Sequence, residues 1–268
     1  MTANLDTGTD KLLAEIDEGI GVVTFNQPEK HNALSQEIRT ALPSTLRALQ
    51  DDAGVRVVVL TGAGDKAFVS GADISEFGDM RTSPEARAEF DRVSAATASA
   101  FLALDKPVLA MIRGFCIGGG LLTAMQADIR IAAEDAQFGI PAARLGLGYG
   151  YGGVAGLVAL VGPSWAAELL FSARRIDAAQ ALQIGLVNRV VPAAQLRTEV
   201  MDLARVISRN APLTVAACKV AIAQAQLPPE RRDTARVAAM VEACFRSDDY
   251  REGQAAFAAK RQPRFTGA

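Results

Sequence analysis

The sequence predicts an α/β protein with a mostly parallel sheet and a C-terminal helical segment. Three observations predict it. Continuous apolar runs of strand length, VRVVVL over Val55–Leu60 and PVLAMI over Pro107–Ile112, have the pattern of strands covered on both faces. Between such runs lie longer stretches with apolar residues at three- and four-residue spacing, which read as helices. After Leu145 the strand patterns stop and helical ones dominate. Strands that alternate with helices favour parallel pairing, because parallel neighbours need the long crossover that a helix supplies.

Residues 12–26, LLAEIDEGIGVVTFN, read as two strands around the turn Asp17-Glu18-Gly19. Asn32–Leu49 reads as a helix, with Ala33, Leu34, Ile38, Leu42, Leu46 and Leu49 on one face. The strand Val55–Leu60 leads into TGAGDKAFVSGADISEF, a glycine-punctuated connection holding a short strand at Ala67–Val69. Pro84–Leu104 reads as a helix and Pro107–Ile112 as a buried strand. The glycines at 118–120 open a further helix, and Ile129–Ala133 and Gln137–Ile140 are short strands. GLGYGYGG (146–153) reads as a loop. Helices are then expected at Pro163–Ala173, Asp177–Gly185, Ala193–Arg209, Pro212–Ala225, Pro229–Arg246 and Glu252–Arg261. Strand, glycine turn and helix recur at roughly forty- to fifty-residue spacing, consistent with a spiral of ββα units. No Ser/Gly/Pro-rich linker separates the α/β core, 1–195, from the helical segment, 196–268, so one folded unit is expected.

Composition narrows the chemistry. Half of the 268 residues are hydrophobic and 22% are charged, as in an ordinary globular core. A net charge of −2 gives no electrostatic reason to bind nucleic acid or an anionic membrane surface. No apolar run approaches the ~18 residues of a membrane span, and the polar, acidic start lacks a signal-peptide pattern. Cys116, Cys218 and Cys244 are odd in number and far apart, which argues for a reducing cytoplasm and against a disulfide framework. With His31 as the one histidine, a multi-histidine metal site is excluded. His31 reads as a surface or hydrogen-bonded residue and Cys116 as a buried packing thiol.

Two glycine motifs compete for attention and fail. Gly62-Ala63-Gly64-Asp65-Lys66-Ala67 follows a strand, but an extended stretch rather than a helix comes next, against a dinucleotide fingerprint. The 146–153 loop lacks the GK[ST] ending of a phosphate-binding loop. CIGGGLLTAM (116–125) differs: its glycines end a strand and open a helix, where unpaired N–H groups and the helix dipole favour negative charge. Tight helix–strand packing is the other reading of the same three glycines.

FNQPEKHNALS (25–35), KAFVSGADISEF (66–77), GFCIGGGLLTAMQADIRIAAEDAQFGIP (114–141), DAAQALQIGLVNRVVP (177–192) and EGQAAFAAKR (252–261) occur in that order. Together they resemble the enoyl-CoA hydratase/isomerase (crotonase) superfamily, from about Leu12 to Phe265. The resemblance implies a crotonase-like spiral of ββα units and a homotrimer or dimer of trimers. It implies an acyl-CoA thioester as substrate, with coenzyme A part of that substrate and no separate cofactor or metal. It places an oxyanion hole at the backbone N–H groups of Ala72 and Gly119, with Asp73 and Ile74 beside the first. Lys30 and Lys66 fall where relatives place groups near the adenosine phosphates. Phe257 and Lys260 match a Phe-x-x-Lys that reaches the CoA of a neighbouring subunit. Read alone, the lysines are equally solvated charges and Phe257 a packing aromatic. Asp73 alone reads as a helix cap, and Glu76 and Glu85 as solvated helix residues, with Asp79 and Arg81 between them.

Hydratases similar to this chain carry one glutamate two residues after the glycine triplet and another after the proline of an FG-x-P motif. Here those positions hold Leu122 and Ala142. Hydration needs carboxylates to activate water and protonate the α-carbon, and each lost group should lower the rate on the order of 10²–10⁴-fold. Tyr149 and Tyr151 on the glycine-rich loop are the remaining candidates. Decarboxylases of the superfamily carry a tyrosine at a position like Tyr149, though with a histidine where this chain has Ala72. Loss of CO₂ makes the enolate without a base, and an apolar pocket at Leu122 and Ala142 suits it. The expected protein is therefore an acyl-CoA enzyme with Tyr149 as proton donor. The alternatives are a binding protein without turnover and a hydratase whose acid is Glu85.

Overall fold

A computed structural model describes residues 2–76 and 83–268. The larger sheet has seven strands: β1 (Ala3–Leu5), β2 (Leu12–Asp17), β3 (Ile20–Phe25), β4 (Val57–Gly62), β6 (Val108–Ile112), β8 (Ile129–Ala133) and β11 (Arg189–Val191), in that spatial order. Pairing is antiparallel from β1 to β3 and parallel from β3 to β11. The smaller sheet has the order β10-β9-β7-β5, where β5 is Ala67–Val69, β7 Phe115–Ile117, β9 Gln137–Gly139 and β10 Arg175–Asp177. Within it β5, β7 and β9 are parallel and β10 runs against them.

The apolar runs are strands covered on both faces, and alternate residues go to separate cores. Val58, Leu60, Val108, Ala110 and Ile112 join Ile38, Leu42, Leu46 and Leu49 of helix α1 (Gln36–Asp51). Val57, Val59, Leu109, Met111, Ile131 and Ala133 face Leu196, Val200 and Ala204 of helix α6 (Leu196–Ser208). The first C-terminal helix is thus a layer on the large sheet. Among the described residues the remaining helices are α2 (Pro84–Leu102), α3 (Gly119–Met125), α4 (Tyr151–Ser172), α5 (Ala178–Gln183), α7 (Pro212–Ala225), α8 (Thr234–Arg246) and α9 (Asp248–Ala258).

Several expectations need correction. The helix expected from Asn32 begins at Gln36, because Ser35 caps it and Asn32 sits at φ 56° in the left-handed region. The helix expected at Pro163 is the second limb of α4, which starts at Tyr151 and breaks at Gly162, φ 75°. The 146–153 stretch is therefore loop only as far as Gly150. β7 is the short strand that the glycine triplet ends, whereas β1, β10 and β11 were not expected. The expectation of no span-length apolar segment also changes: by length and composition α4 is long and apolar enough to cross a membrane. It is bent at Gly162, and Leu157, Val161, Ala166 and Leu169 are buried in the core.

Candidate functional site

The three parallel strands of the small sheet end at one edge, where open α/β sheets place their ligand crevices. β5 runs into Ser70-Gly71-Ala72-Asp73, β7 into the glycine triplet and α3, and β9 towards a short 3₁₀ turn, Pro141–Leu145. Each glycine of the triplet has its own role. Gly118 adopts φ 54° to turn the chain. A Cβ on Gly120 would lie 2.1 Å from the Val69 carbonyl oxygen, so glycine alone lets α3 reach β5. Gly119 has room: a Cβ there would meet Leu34 Cδ1 at 3.4 Å and the Ala72 amide nitrogen at 3.7 Å.

That last distance puts the Ala72 amide nitrogen beside Gly119. The Gly71 carbonyl accepts from the Leu34 N–H at 2.7 Å, and the Asp73 N–H donates to the Leu34 carbonyl at 3.1 Å. In a trans peptide the C=O and N–H point opposite ways. With the Gly71 carbonyl turned to Leu34, the Ala72 N–H points away from it. The Gly118 carbonyl accepts from the Leu122 N–H at 3.0 Å and from the Tyr149 hydroxyl at 3.4 Å, which turns the Gly119 N–H the other way. Among the described residues neither the Ala72 nor the Gly119 N–H donates a hydrogen bond. Two such donors, one of them at a helix start, can hold an oxygen that carries negative charge. Both peptides already accept at their carbonyl ends, which polarises the N–H ends further.

Close to the glycine triplet lie the Leu122 side chain and the Tyr149 phenol. Leu122 Cδ2 and Tyr149 Cε1 would lie 2.9 and 3.3 Å from a Cβ on Gly153, so both pack over the start of α4 because residue 153 is glycine. Ala142 is buried. Burial pushes the Tyr149 phenol well above its ordinary value, so it carries its proton at neutral pH. Among the described residues no cluster of three or more His, Cys, Asp or Glu could hold a metal.

Asp73 lies directly after Ala72 and is 4% exposed. Its Oδ1 accepts from the Ser75 N–H at 3.0 Å and the Ser75 hydroxyl at 2.6 Å, and its Oδ2 from Lys30 Nζ at 2.7 Å. Burial alone would raise its pKa; the hydrogen bonds from Lys30 and Ser75 outweigh burial and hold it below the carboxylate range. Asp73 therefore caps the 3₁₀ turn Ile74–Glu76, as expected, and also forms an ion pair. Lys30 is accordingly committed to Asp73 rather than free. Glu76 is not simply solvated: its Oε2 accepts from the Gln36 N–H at 2.8 Å, at the start of α1.

Other expected residues lie apart from this cluster. Lys66 is exposed, and its carbonyl accepts from the Phe115 N–H at 3.0 Å. Tyr151 is 87% exposed at the first turn of α4. Phe257 is 88% exposed, and Lys260 is exposed just beyond α9. Glu85 sits exposed in the first turn of α2, its carboxyl held down by its own backbone N–H and by Ser83. His31 meets the Phe115 ring edge-on at 5.8 Å. Cys116 is fully buried and its thiol is pushed up by burial. Phe77, Asp79 and Arg81 lie outside the described residues. Leu34, Ser75 and Gly153 shape the site and were not anticipated. Leu34 matched the helical period, and its contribution comes from its backbone, which no residue pattern shows.

Comparison with known proteins gives one family. A family model described as enoyl-CoA hydratase/isomerase matches residues 15–268. A crotonyl-CoA hydratase from Syntrophomonas wolfei is 37% identical over 256 residues, covering 96% of this chain and 98% of that protein. A short-chain-enoyl-CoA hydratase from Clostridium acetobutylicum is 37% identical over 253 residues, covering 94% and 96%. Among solved structures, an enoyl-CoA hydratase/carnitine racemase from Magnetospirillum magneticum superposes with a TM-score of 0.90 at 35% identity, covering 97% of each chain.

Proposed function

We propose, from the premise that this chain belongs to the enoyl-CoA hydratase/isomerase family, that it stabilises the enolate of an acyl-CoA thioester without a glutamate pair. The observation that supports this most is that the Ala72 amide lies beside Gly119 and that, among the described residues, neither the Ala72 nor the Gly119 N–H donates a hydrogen bond. The thioester oxygen takes both N–H groups as donors. Preorganised donors of this kind contribute about 3–4 kcal/mol each to a transition state that develops charge on that oxygen.

The reaction class is decarboxylation of a carboxyacyl-CoA. Loss of CO₂ leaves the electron pair on the α-carbon and the thioester oxygen, so no base is required. The apolar Leu122 and Ala142, at the positions where hydratases of the family carry glutamates, disfavour a bound carboxylate and favour neutral CO₂. The Tyr149 hydroxyl then supplies a proton to the α-carbon and regains one from water. Phe257 and Lys260, exposed and apart from the site, support their use by a neighbouring subunit in a homotrimer or dimer of trimers. Sedimentation would show that assembly. A second reading, a protein that binds acyl-CoA without turnover, is favoured by the long 3.4 Å bond that occupies the Tyr149 hydroxyl.

Purified protein would be assayed for CO₂ release from malonyl- and methylmalonyl-CoA, for crotonyl-CoA hydration, and for acyl-CoA binding by calorimetry. CO₂ release without fast hydration is expected. Binding without either reaction would establish the silent binder, and fast hydration would overturn both readings.

A further inference from the structure

Two stretches of chain, 27–36 and 70–76, are laced together beside the Ala72 amide, and the lacing is more extensive than a helix cap needs. The Ser70 N–H donates to the His31 carbonyl at 3.1 Å, and Leu34 brackets Ala72 with the two backbone bonds described above. The first stretch is itself fixed. Asn32 is fully buried; its Oδ1 accepts from the Gln27 N–H at 3.0 Å, and its Nδ2 donates to the Ala63 and Ala67 carbonyls at 2.9 and 2.8 Å. Lys30, three residues after Gln27, thus leaves a rigid base and reaches Asp73 Oδ2 at 2.7 Å and the Ser75 hydroxyl at 3.3 Å. The Asp73 side chain is the point where the second stretch is gripped, one residue after the amide that lies beside Gly119.

A buried carboxylate beside a site for a negative oxygen is unfavourable unless it is paired and hydrogen-bonded. The three hydrogen bonds named above for the Asp73 carboxylate all come from donors, and one donor is a cation. We infer that Asp73 is a positioning residue that fixes the direction of the Ala72 N–H, and that Lys30 neutralises it so that no like charge opposes the bound oxygen. This rests on the reading of Ala72 as an oxyanion donor. It assigns Lys30 a place in the reaction machinery in addition to any contact with the CoA phosphates. Ser75 completes the clamp.

The test is isotope-edited infrared spectroscopy of butyryl-CoA labelled at the thioester carbonyl and bound to the full-length protein. This unreactive probe reads the polarisation of the carbonyl independently of turnover. In the wild-type protein the band moves to lower frequency on binding. In Asp73→Asn it returns part of the way to its free position, while calorimetric affinity for butyryl-CoA and the Tm stay near wild type. Turnover falls about 10- to 100-fold, the size expected when a reacting group is misplaced by up to ~1 Å. Lys30→Met, which leaves the carboxylate uncompensated, loses more than Asp73→Asn, and the double variant recovers to the Asp73→Asn level. Should Asp73→Asn fail to fold, Ser75→Ala at an exposed position is expected to move the band in the same direction by less. A wild-type band shift retained in folded Asp73→Asn and Lys30→Met, or in Ser75→Ala and Lys30→Met, would overturn the positioning role. Absence of any shift in the wild type would instead overturn the oxyanion reading on which it rests.

Discussion

Replacing Gly119 and Gly120 by alanine, one at a time, separates binding from packing within a single glycine triplet. A Cβ on Gly120 would stand 2.1 Å from the Val69 carbonyl oxygen and 2.8 Å from the Val69 Cβ. An ordinary carbon–oxygen contact is about 3.4 Å, so α3 would have to move off β5 by about 1.3 Å. That shift would pull Leu121 and Ala124 of α3, both fully buried, out of their packing. Overpacking of that kind costs about 1–3 kcal/mol or more, and each kcal/mol lowers Tm by about 2–4 °C in a chain of this size. Gly119→Ala meets nothing closer than 3.4 Å, and alanine is the better helix former by about 0.5–1 kcal/mol. Its Tm is expected to equal or slightly exceed wild type. The new methyl would nevertheless crowd the gap between the two amides. Displacing the thioester oxygen by ~1 Å lowers turnover roughly 10²-fold, comparable to loss of one oxyanion donor, about 10²–10³. Scanning calorimetry gives the stabilities and CO₂ release gives the rates. Gly119→Ala at wild-type rate, or Gly120→Ala at wild-type Tm, would refute this assignment of the two glycines.

Tyr149→Phe is expected to keep acyl-CoA affinity in calorimetry while turnover falls on the order of 10²–10⁴-fold, the contribution of a general acid; an unchanged rate would remove Tyr149 from the reaction. Asn32→Ala leaves the Gln27 N–H and the Ala63 and Ala67 carbonyls without their buried partner. At about 1–3 kcal/mol for each such group, urea unfolding should show a loss of at least about 3 kcal/mol. Glu252 is held down to about 2 by hydrogen bonds from Arg261 and the Arg264 N–H. Its folded pKa lies below the unfolded value, so the contact stabilises fully above the ordinary carboxylate range and is lost as pH falls towards 2. Urea midpoints measured on descending pH should converge for wild type and Glu252→Gln; parallel curves would refute this.

Much of the fold could be read from residue patterns because the large-sheet strands are buried on both faces. β4 and β6 announce themselves as unbroken apolar runs, since α1 and α6 cover opposite sides of the same strands. β7 and β10 could not be read that way. Three residues hold less than two full alternations, and in β10 two of them, Arg175 and Asp177, are exposed. The start of α4 was hidden by Gly150, Gly152 and Gly153, which suit a loop, although here Gly153 is what admits Leu122 and Tyr149. At the site Gly118 and Gly120 were legible as glycines because a turn at φ 54° and a close approach to Val69 both demand that residue, whereas Ala72 was placed by the resemblance alone. The Lys30–Asp73 pair was not legible, because across a separation of 43 positions no periodicity brings them together. Tyr151, adjacent to Gly150 and two residues from Tyr149, could not be distinguished from Tyr149 until the helix start fixed which of them faces inward.

The most direct measurement is a crystal structure with butyryl-CoA bound. The thioester oxygen is predicted to lie about 2.7–3.1 Å from both the Ala72 and Gly119 nitrogens, with Leu122, Ala142 and Tyr149 around the acyl chain. A bound thioester whose oxygen takes its hydrogen bonds elsewhere, with both amides left facing solvent, would contradict the site at its centre.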